Sequence, residues 1–146
     1  MSAVKVVLDS SVLVSRFLNP VPGGAAFDLL EHIRTGTCEA FVFQAILREV
    51  ESVLLRSRIR RRYEFDDQEV QRYSQELTRI ATVLDPKPVV RAVRDPNDDV
   101  VLDCAIAAGA AYLVTRDDDL LSLERFRDVR ILKPEELLHL LRGKHP

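Results

Sequence analysis

The chain has two cysteines and three histidines, and neither set is arranged as a soft-metal site. Cys38 and Cys104 lie far apart, form no CxxC pair and sit among apolar or small residues. That excludes a disulfide framework and leaves buried, reduced thiols as the expectation. His32, His139 and His145 show no ligand spacing. Long hydrophobic runs are lacking too: nothing approaches the roughly 18 apolar residues that a membrane-spanning helix needs. No basic segment leads into an apolar one at the N-terminus, so a cytoplasmic protein without a membrane partner is expected. Charge of one sign is equally absent. With 21 Lys and Arg against 23 Asp and Glu, the net charge of −2 excludes a grip on nucleic acid by bulk charge and leaves only local patches. Repeats and low-complexity segments are missing. What is present is 146 residues, 47% of them hydrophobic, enough for one packed domain over residues 1–146.

Along the chain, apolar runs and helical spacings alternate. Residues 4–8 (VKVVL) form a short β-branched run, as in a central strand covered on both faces, and it ends at Asp9. Helical patterns over 10–17 and 25–34 are separated by Asn19-Pro20-Val21-Pro22-Gly23-Gly24. A strand over 40–43 precedes a helix over 44–56 with Ile46, Leu47, Val50, Val53 and Leu54 on one face. A more polar helix over 66–80 leads to a weak strand over 82–84 and the breaker Asp85-Pro86-Lys87-Pro88. Asp95-Pro96-Asn97-Asp98 supplies turn and cap residues for a small-residue helix running to about Gly109. A compact strand over 112–115, an edge strand over 129–132 and a last helix from Pro134 to Leu141 complete the pattern. Strands separated by helices predict a three-layer α/β/α sandwich around a mainly parallel sheet of about five strands. Ligands of such sheets collect beyond the carboxyl ends of the strands, where Asp9 and Asp117 would face one crevice.

Each acid has a bland role beside a chemical one. Asp9 fits both a helix N-cap and a metal ligand. Glu49 lies on the margin of an apolar helix face, where a carboxylate costs free energy unless paired or coordinated, whereas Arg48, Glu51 and Ser52 fit a solvated side. Asp98 begins a helix, with Asp99 turned about 100° away. Asp117 opens an Asp117-Asp118-Asp119 run that fits a solvated loop but repels itself unless a cation compensates. Taken together, the acids after two strands and on two helices point to one shared site. Oxygen ligands without a histidine or cysteine cluster suit Mg²⁺ or Mn²⁺, and such a cation supports phosphodiester hydrolysis.

The segments 6–15 (VVLDSSVLVS), 46–54 (ILREVESVL), 94–105 (RDPNDDVVLDCA) and 112–121 (YLVTRDDDLL), in this order and spacing, resemble the PIN-domain family and, within it, VapC-like toxins of toxin–antitoxin pairs. The resemblance implies a metal-dependent ribonuclease acting on single-stranded RNA, with Mg²⁺ or Mn²⁺ as cofactor. It implies Asp9, Glu49, Asp98 and Asp117 as the ligands, with Ser11 and Thr115 as polar supports. Ser11 stands where many relatives carry asparagine. Asp98 is preferred over Asp99 because Gly109 follows eleven residues later, as in relatives; Asp119 is the reserve for Asp117. A cognate antitoxin and a homodimer are further expectations.

Arg56, Arg58, Arg60, Arg61 and Arg62 crowd the end of the helix carrying Glu49. Arg56, Arg60 and Arg61 are candidate contacts to RNA or a protein partner, the alternatives being a solvated helix end or pairing with Glu64, Asp66 and Asp67. Two other functions compete: a PIN-like module that binds RNA or protein without turnover, and a phosphoacceptor receiver. The receiver would use Thr115 and Lys133-Pro134 as switch residues and Asp85 after a central third strand.

Overall fold

The computed structural model describes residues 3–85 and 96–143, with residues 96–99 described as backbone only. The Pro86-Lys87-Pro88 breaker and Asp95 lie outside the described residues, as do the side chains of Asp98 and Asp99. In chain order the elements are β1 (Val4–Leu8), α1 (Ser10–Leu18), α2 (Ala25–Arg34), β2 (Cys38–Phe43), α3 (Gln44–Leu54), α4 (Ser57–Tyr63) and α5 (Asp67–Ile80). They continue with β3 (Ala81–Leu84), α6 (Pro96–Ala108), β4 (Tyr112–Val114), α7 (Asp118–Leu121), β5 (Arg125–Phe126), β6 (Val129–Leu132) and α8 (Pro134–Gly143).

The strands pair in the order β3-β2-β1-β4-β6-β5, all parallel except β5 against β6. The steps from β1 to β2 and from β2 to β3 go one way along the sheet, and the step from β3 to β4 goes back across it. Right-handed crossovers then place α1 to α5 on one face and α6 on the other. Packing follows this division. α1 lies against α2 and α3, α3 against α5, and α2 against α8, while α6 lies along β1, β2 and β4. The expected α/β/α sandwich is therefore the fold, with β1 central. Val6 and Val7 are fully buried, which explains the unbroken apolar run of β1: a strand covered on both faces has no polar side to alternate with.

Helix ends are set by local chemistry. Gly109 (φ +63) closes α6 in a Schellman motif, with Ala110 N–H donating to the Ala105 carbonyl at 3.0 Å and Gly109 N–H to Ile106 at 3.1 Å. Asp66 caps α5 by accepting from the Glu69 N–H at 2.9 Å. Pro134 takes the first position of α8, and Glu136 reaches back to accept from the Lys133 N–H at 3.0 Å.

Three expectations need correction. The helix from residue 44 stops at Leu54, and the arginine cluster forms its own helix, α4, instead of crowding the end of α3. The apolar spacing accounts for this: after Leu54 a continuing face would need an apolar residue at 57 or 58, which are Ser and Arg. Second, residues 129–132 are not the sheet edge, because the two-residue strand β5 pairs outside them. The β5–β6 turn places Arg127 at φ 53, where glycine is the usual signal, so the hairpin has no turn signature in sequence. Third, Glu51 is not solvated: it is half-buried, and its Oε1 accepts from Ser74 Oγ at 2.6 Å, tying α3 to α5. The receiver reading also fails here, since Asp85 follows an edge strand rather than a central one and is exposed.

Both thiols are buried, as expected. Burial pushes the Cys104 thiol from its ordinary value near 9 up to about 12. The folded value lies above the unfolded one, so this contribution to stability is complete below pH 9 and is lost as pH rises from 9 towards 12. Urea unfolding across that window is expected to show falling stability, with a shallower fall in Cys104→Ala. A slope unchanged by the substitution would remove Cys104 as its source.

Candidate active site

The register of the two central strands sets the site. Leu8 lies opposite Val114, so Asp9 and Thr115 leave the sheet side by side, and the Asp9 N–H donates to the Val114 carbonyl at 3.0 Å. Asp9 stands at the N-cap of α1, but its side chain makes no capping bond; its carbonyl accepts from the N–H groups of Val12 (3.1 Å) and Leu13 (3.4 Å) instead. Of the two roles open to Asp9, side-chain capping is excluded.

The carboxylate is held by hydroxyls. Ser11 Oγ and Thr115 Oγ1 each donate to Asp9 Oδ2 at 2.8 Å. Each hydroxyl also accepts a backbone N–H at 3.0 Å, Ser11 from Arg116 and Thr115 from Asp117. A carboxylate can only accept and each hydroxyl has one proton to give, so both protons go to Asp9, while one lone pair of each hydroxyl oxygen takes a backbone N–H. The 3.4 Å separation of Ser11 Oγ and Thr115 Oγ1 is then a contact without a proton of its own. Hydrogen bonds to a charged acceptor are shorter and stronger than neutral ones. Asp9 is 8% exposed and Thr115 is fully buried, so the network is largely shielded from water.

Asp117 sits one bond from this network through its own N–H. It is half-buried and caps α7, its Oδ1 accepting from the Asp119 N–H at 2.9 Å. Asp118 and Asp119 are exposed on α7. Arg116 is pinned away from the network, with Nη1 donating to both carboxylate oxygens of Glu135 at 3.1 Å. Glu49 is half-buried on α3, and α3 touches α6, the helix that carries Asp98 and Asp99 in its first turn. Among the described residues no three His, Cys, Asp or Glu side chains gather closely enough to hold a metal. The structure thus brings Asp9, Ser11, Thr115 and the backbone of Asp117 into one network; Glu49 is placed only on α3 beside α6, and the side chain of Asp98 lies outside the described residues.

One acid escaped the sequence reading. Asp103 on α6 is 2% exposed, and with Asp9, Ser10 and Thr115 it makes up the buried polar residues among those described. It follows Asp99 by four residues, hence on the same helix face, on a helix that packs against β1 and β2. The signal was a single carboxylate inside the run VVLDCAIAA, where every neighbour is apolar.

A mainly parallel sheet with β1 near its centre and the buried Asp9 just past that strand's carboxyl end is the frame of a known class of protein. The PIN-domain model matches residues 5–119, from within β1 into α7, and the chain belongs to that family. No curated protein matches the chain. Among solved structures it is similar to PAE2754 from Pyrobaculum aerophilum, at 20% identity over 96% of this chain and 90% of that one, with a TM-score of 0.65. It is also similar to VapBC2 from Rickettsia felis bound to a DNA fragment from their promoter, at 14% identity over 87% of this chain and 96% of that one, with a TM-score of 0.60. At these identities the likeness speaks for the fold. Among the described residues, no helix is long and apolar enough to cross a membrane.

Proposed function

We propose that the protein is a metal-dependent endoribonuclease that hydrolyses phosphodiester bonds of single-stranded RNA and serves as the toxin of a toxin–antitoxin pair. The observation that carries the reading is the pair of hydroxyl protons committed to Asp9 Oδ2 at the carboxyl end of the central strand. A capping or merely solvated acid has no need of two fixed donors. Membership of the PIN-domain family and the fold likeness to VapBC2 support the same reading. A cognate antitoxin and a homodimer belong to the proposal.

The donor set fits a hard cation. Asp9 and Asp117 offer carboxylate oxygens and Ser11 and Thr115 hydroxyls, while both cysteines are buried thiols in the hydrophobic core. In this proposal Asp9, Glu49, Asp98 and Asp117 hold Mg²⁺ or Mn²⁺, with Asp99 and Asp119 in reserve. When bound, such a cation activates water for attack on phosphorus and offsets charge on the phosphate. Ser11 and Thr115 fix the rotation of the Asp9 carboxylate, which would limit its reorganisation when a cation is held.

Incubation of a defined RNA with Mg²⁺ or Mn²⁺ is expected to give cleavage with 5′-phosphate and 3′-hydroxyl ends, stopped by EDTA. Either ion is expected to raise the melting temperature, because coordination relieves repulsion among the acids. Cleavage that persists in EDTA would overturn the mechanism. Inactivity over a broad RNA panel would leave the chain a PIN-fold binding module.

A further inference from the structure

Helix α4 (SRIRRRY) has no buried residue, and only Ile59 packs partly against the core. Arg56, Arg58, Arg61 and Arg62 are exposed. The ion pair that this segment forms among the described residues is Arg60 with Asp67 at 2.6 Å, the pairing that stood as the alternative to a contact with RNA or a partner. Arg61 Nε donates to the Ser57 carbonyl at 3.3 Å, and the Arg62 guanidinium lies 5.6 Å from the Tyr63 ring centre. Five of the 21 basic residues thus fall within residues 56–62, with no acid between them, in a chain of net charge −2. Like charges four apart on a helix, as Arg58 and Arg62 are, repel one another. The packing of the fold does not require them.

A groove of about 450 Å³ opens where α4 ends. Phe17, Tyr63, Phe65 and Tyr73 line it, with Arg16 and Arg72. Phe17 meets Phe65 edge-on at 4.8 Å and Tyr73 at 5.1 Å, and Tyr73 Oη donates to the Leu13 carbonyl at 2.6 Å, which fixes the wall against α1. Tyr63 stays 39% exposed, an aromatic face turned to solvent at the end of the arginine row. The Arg16 Nε is buried without a hydrogen-bond partner among the described residues.

We propose that α4 and this groove bind single-stranded RNA, its phosphates on Arg56, Arg58, Arg61 and Arg62 and one base stacked on Tyr63 in the groove. A basic track beside exposed aromatic rings is the combination that single strands use, because the rings accept any base and the cations follow the backbone. Charge complementarity selects RNA over an acidic peptide. Glu64 and Glu69 also line the groove and would repel a carboxylate there, whereas a base is neutral and offers amino donors to them. α1 runs from beside Asp9 to Leu18 at the groove, about 13 Å at 1.5 Å per residue, so one strand can occupy both places. The inference rests on the ribonuclease reading and concerns where its substrate lies.

The test measures binding, not cleavage, in the Asp9→Asn protein with EDTA, using a fluorescein-labelled mixed-sequence RNA of about twelve nucleotides. Adding Arg58→Glu and Arg61→Glu is expected to weaken binding at least about tenfold and to lower the slope of log affinity against log salt by about 1.4, the value for two lost phosphate contacts. Tyr63→Ala is expected to weaken binding roughly tenfold with the slope unchanged. Both variants alter exposed side chains and should melt with their parent, which circular dichroism checks. Unchanged affinity and slope in the arginine variant would overturn the proposal while leaving metal-dependent cleavage by the wild type, and with it the ribonuclease reading, intact. Displacement of the RNA by polyglutamate of equal charge would overturn it in favour of a protein partner. Absence of RNA binding by the parent, with no cleavage by the wild type, would overturn both.

Discussion

Asp9→Asn is expected to slow RNA cleavage about a thousandfold or more, since a bound cation contributes several kcal/mol and each 1.36 kcal/mol is a factor of ten. The substitution separates structure from chemistry. An asparagine carbonyl oxygen can still accept from Ser11 and Thr115, whose 2.8 Å bonds converge on Oδ2, so the β1–β4 junction keeps its geometry. What disappears is the charge that retains the cation. Initial rates on a defined RNA, beside a melting curve, read both quantities. Thr115→Val should fall between this variant and wild type, about 10- to 100-fold down, because it removes one donor to Asp9 and the acceptor of the Asp117 N–H. Ser11→Ala should do less, its loss leaving the fully buried donor in place. A folded Asp9→Asn protein that still cleaves within about tenfold of wild type would remove Asp9 from the chemistry.

The largest effect on stability is expected at Leu113. Its side chain is fully buried at the middle of β4, flanked by Val7 on β1 and Ile131 on β6. Leu113→Ala removes most of that side chain from a core that relaxes only in part, at a cost of about 2–5 kcal/mol. Set against the roughly 5–15 kcal/mol that holds a domain of this size together, that is a large share. Urea unfolding should show a lower midpoint with an unchanged m-value. A loss below about 1 kcal/mol would mean that the helices close over the vacated volume.

Much of the architecture was legible because a parallel sheet writes itself in apolar runs. VKVVL marks β1, CEAFVF contains the expected β2, and the glycine and proline signals around α2, α6 and α8 fall where the helices begin or end. The hairpin of β5 was not legible, because Arg127 adopts a conformation usually signalled by glycine. The break between α3 and α4 carries no glycine or proline either, only an interrupted apolar period. At the site, Asp9 and Asp117 could be placed at one crevice from their positions past two strand ends, and Thr115 entered only through the family resemblance. The bond between Asp9 and Thr115 could not be read, since it depends on the register of Leu8 with Val114. Asp103 went unread although its apolar neighbours marked it, because an acid on a helix of small residues fits a solvated face until the strands that pack over that helix are known.

The lacing of Ser11 and Thr115 changes what kind of place the site is. Parallel strands ordinarily stop exchanging bonds where their extended backbone stops, and the residues beyond become loop. Here Ser11 Oγ takes up the Arg116 N–H from across the gap and gives its proton to Asp9 on its own segment. Thr115 Oγ1 takes up the Asp117 N–H on its own segment and gives its proton across the gap to Asp9. The side chains act as one more rung of the ladder, built of oxygen instead of amide. Asp9 therefore inherits the stiffness of the central sheet although it lies outside any strand.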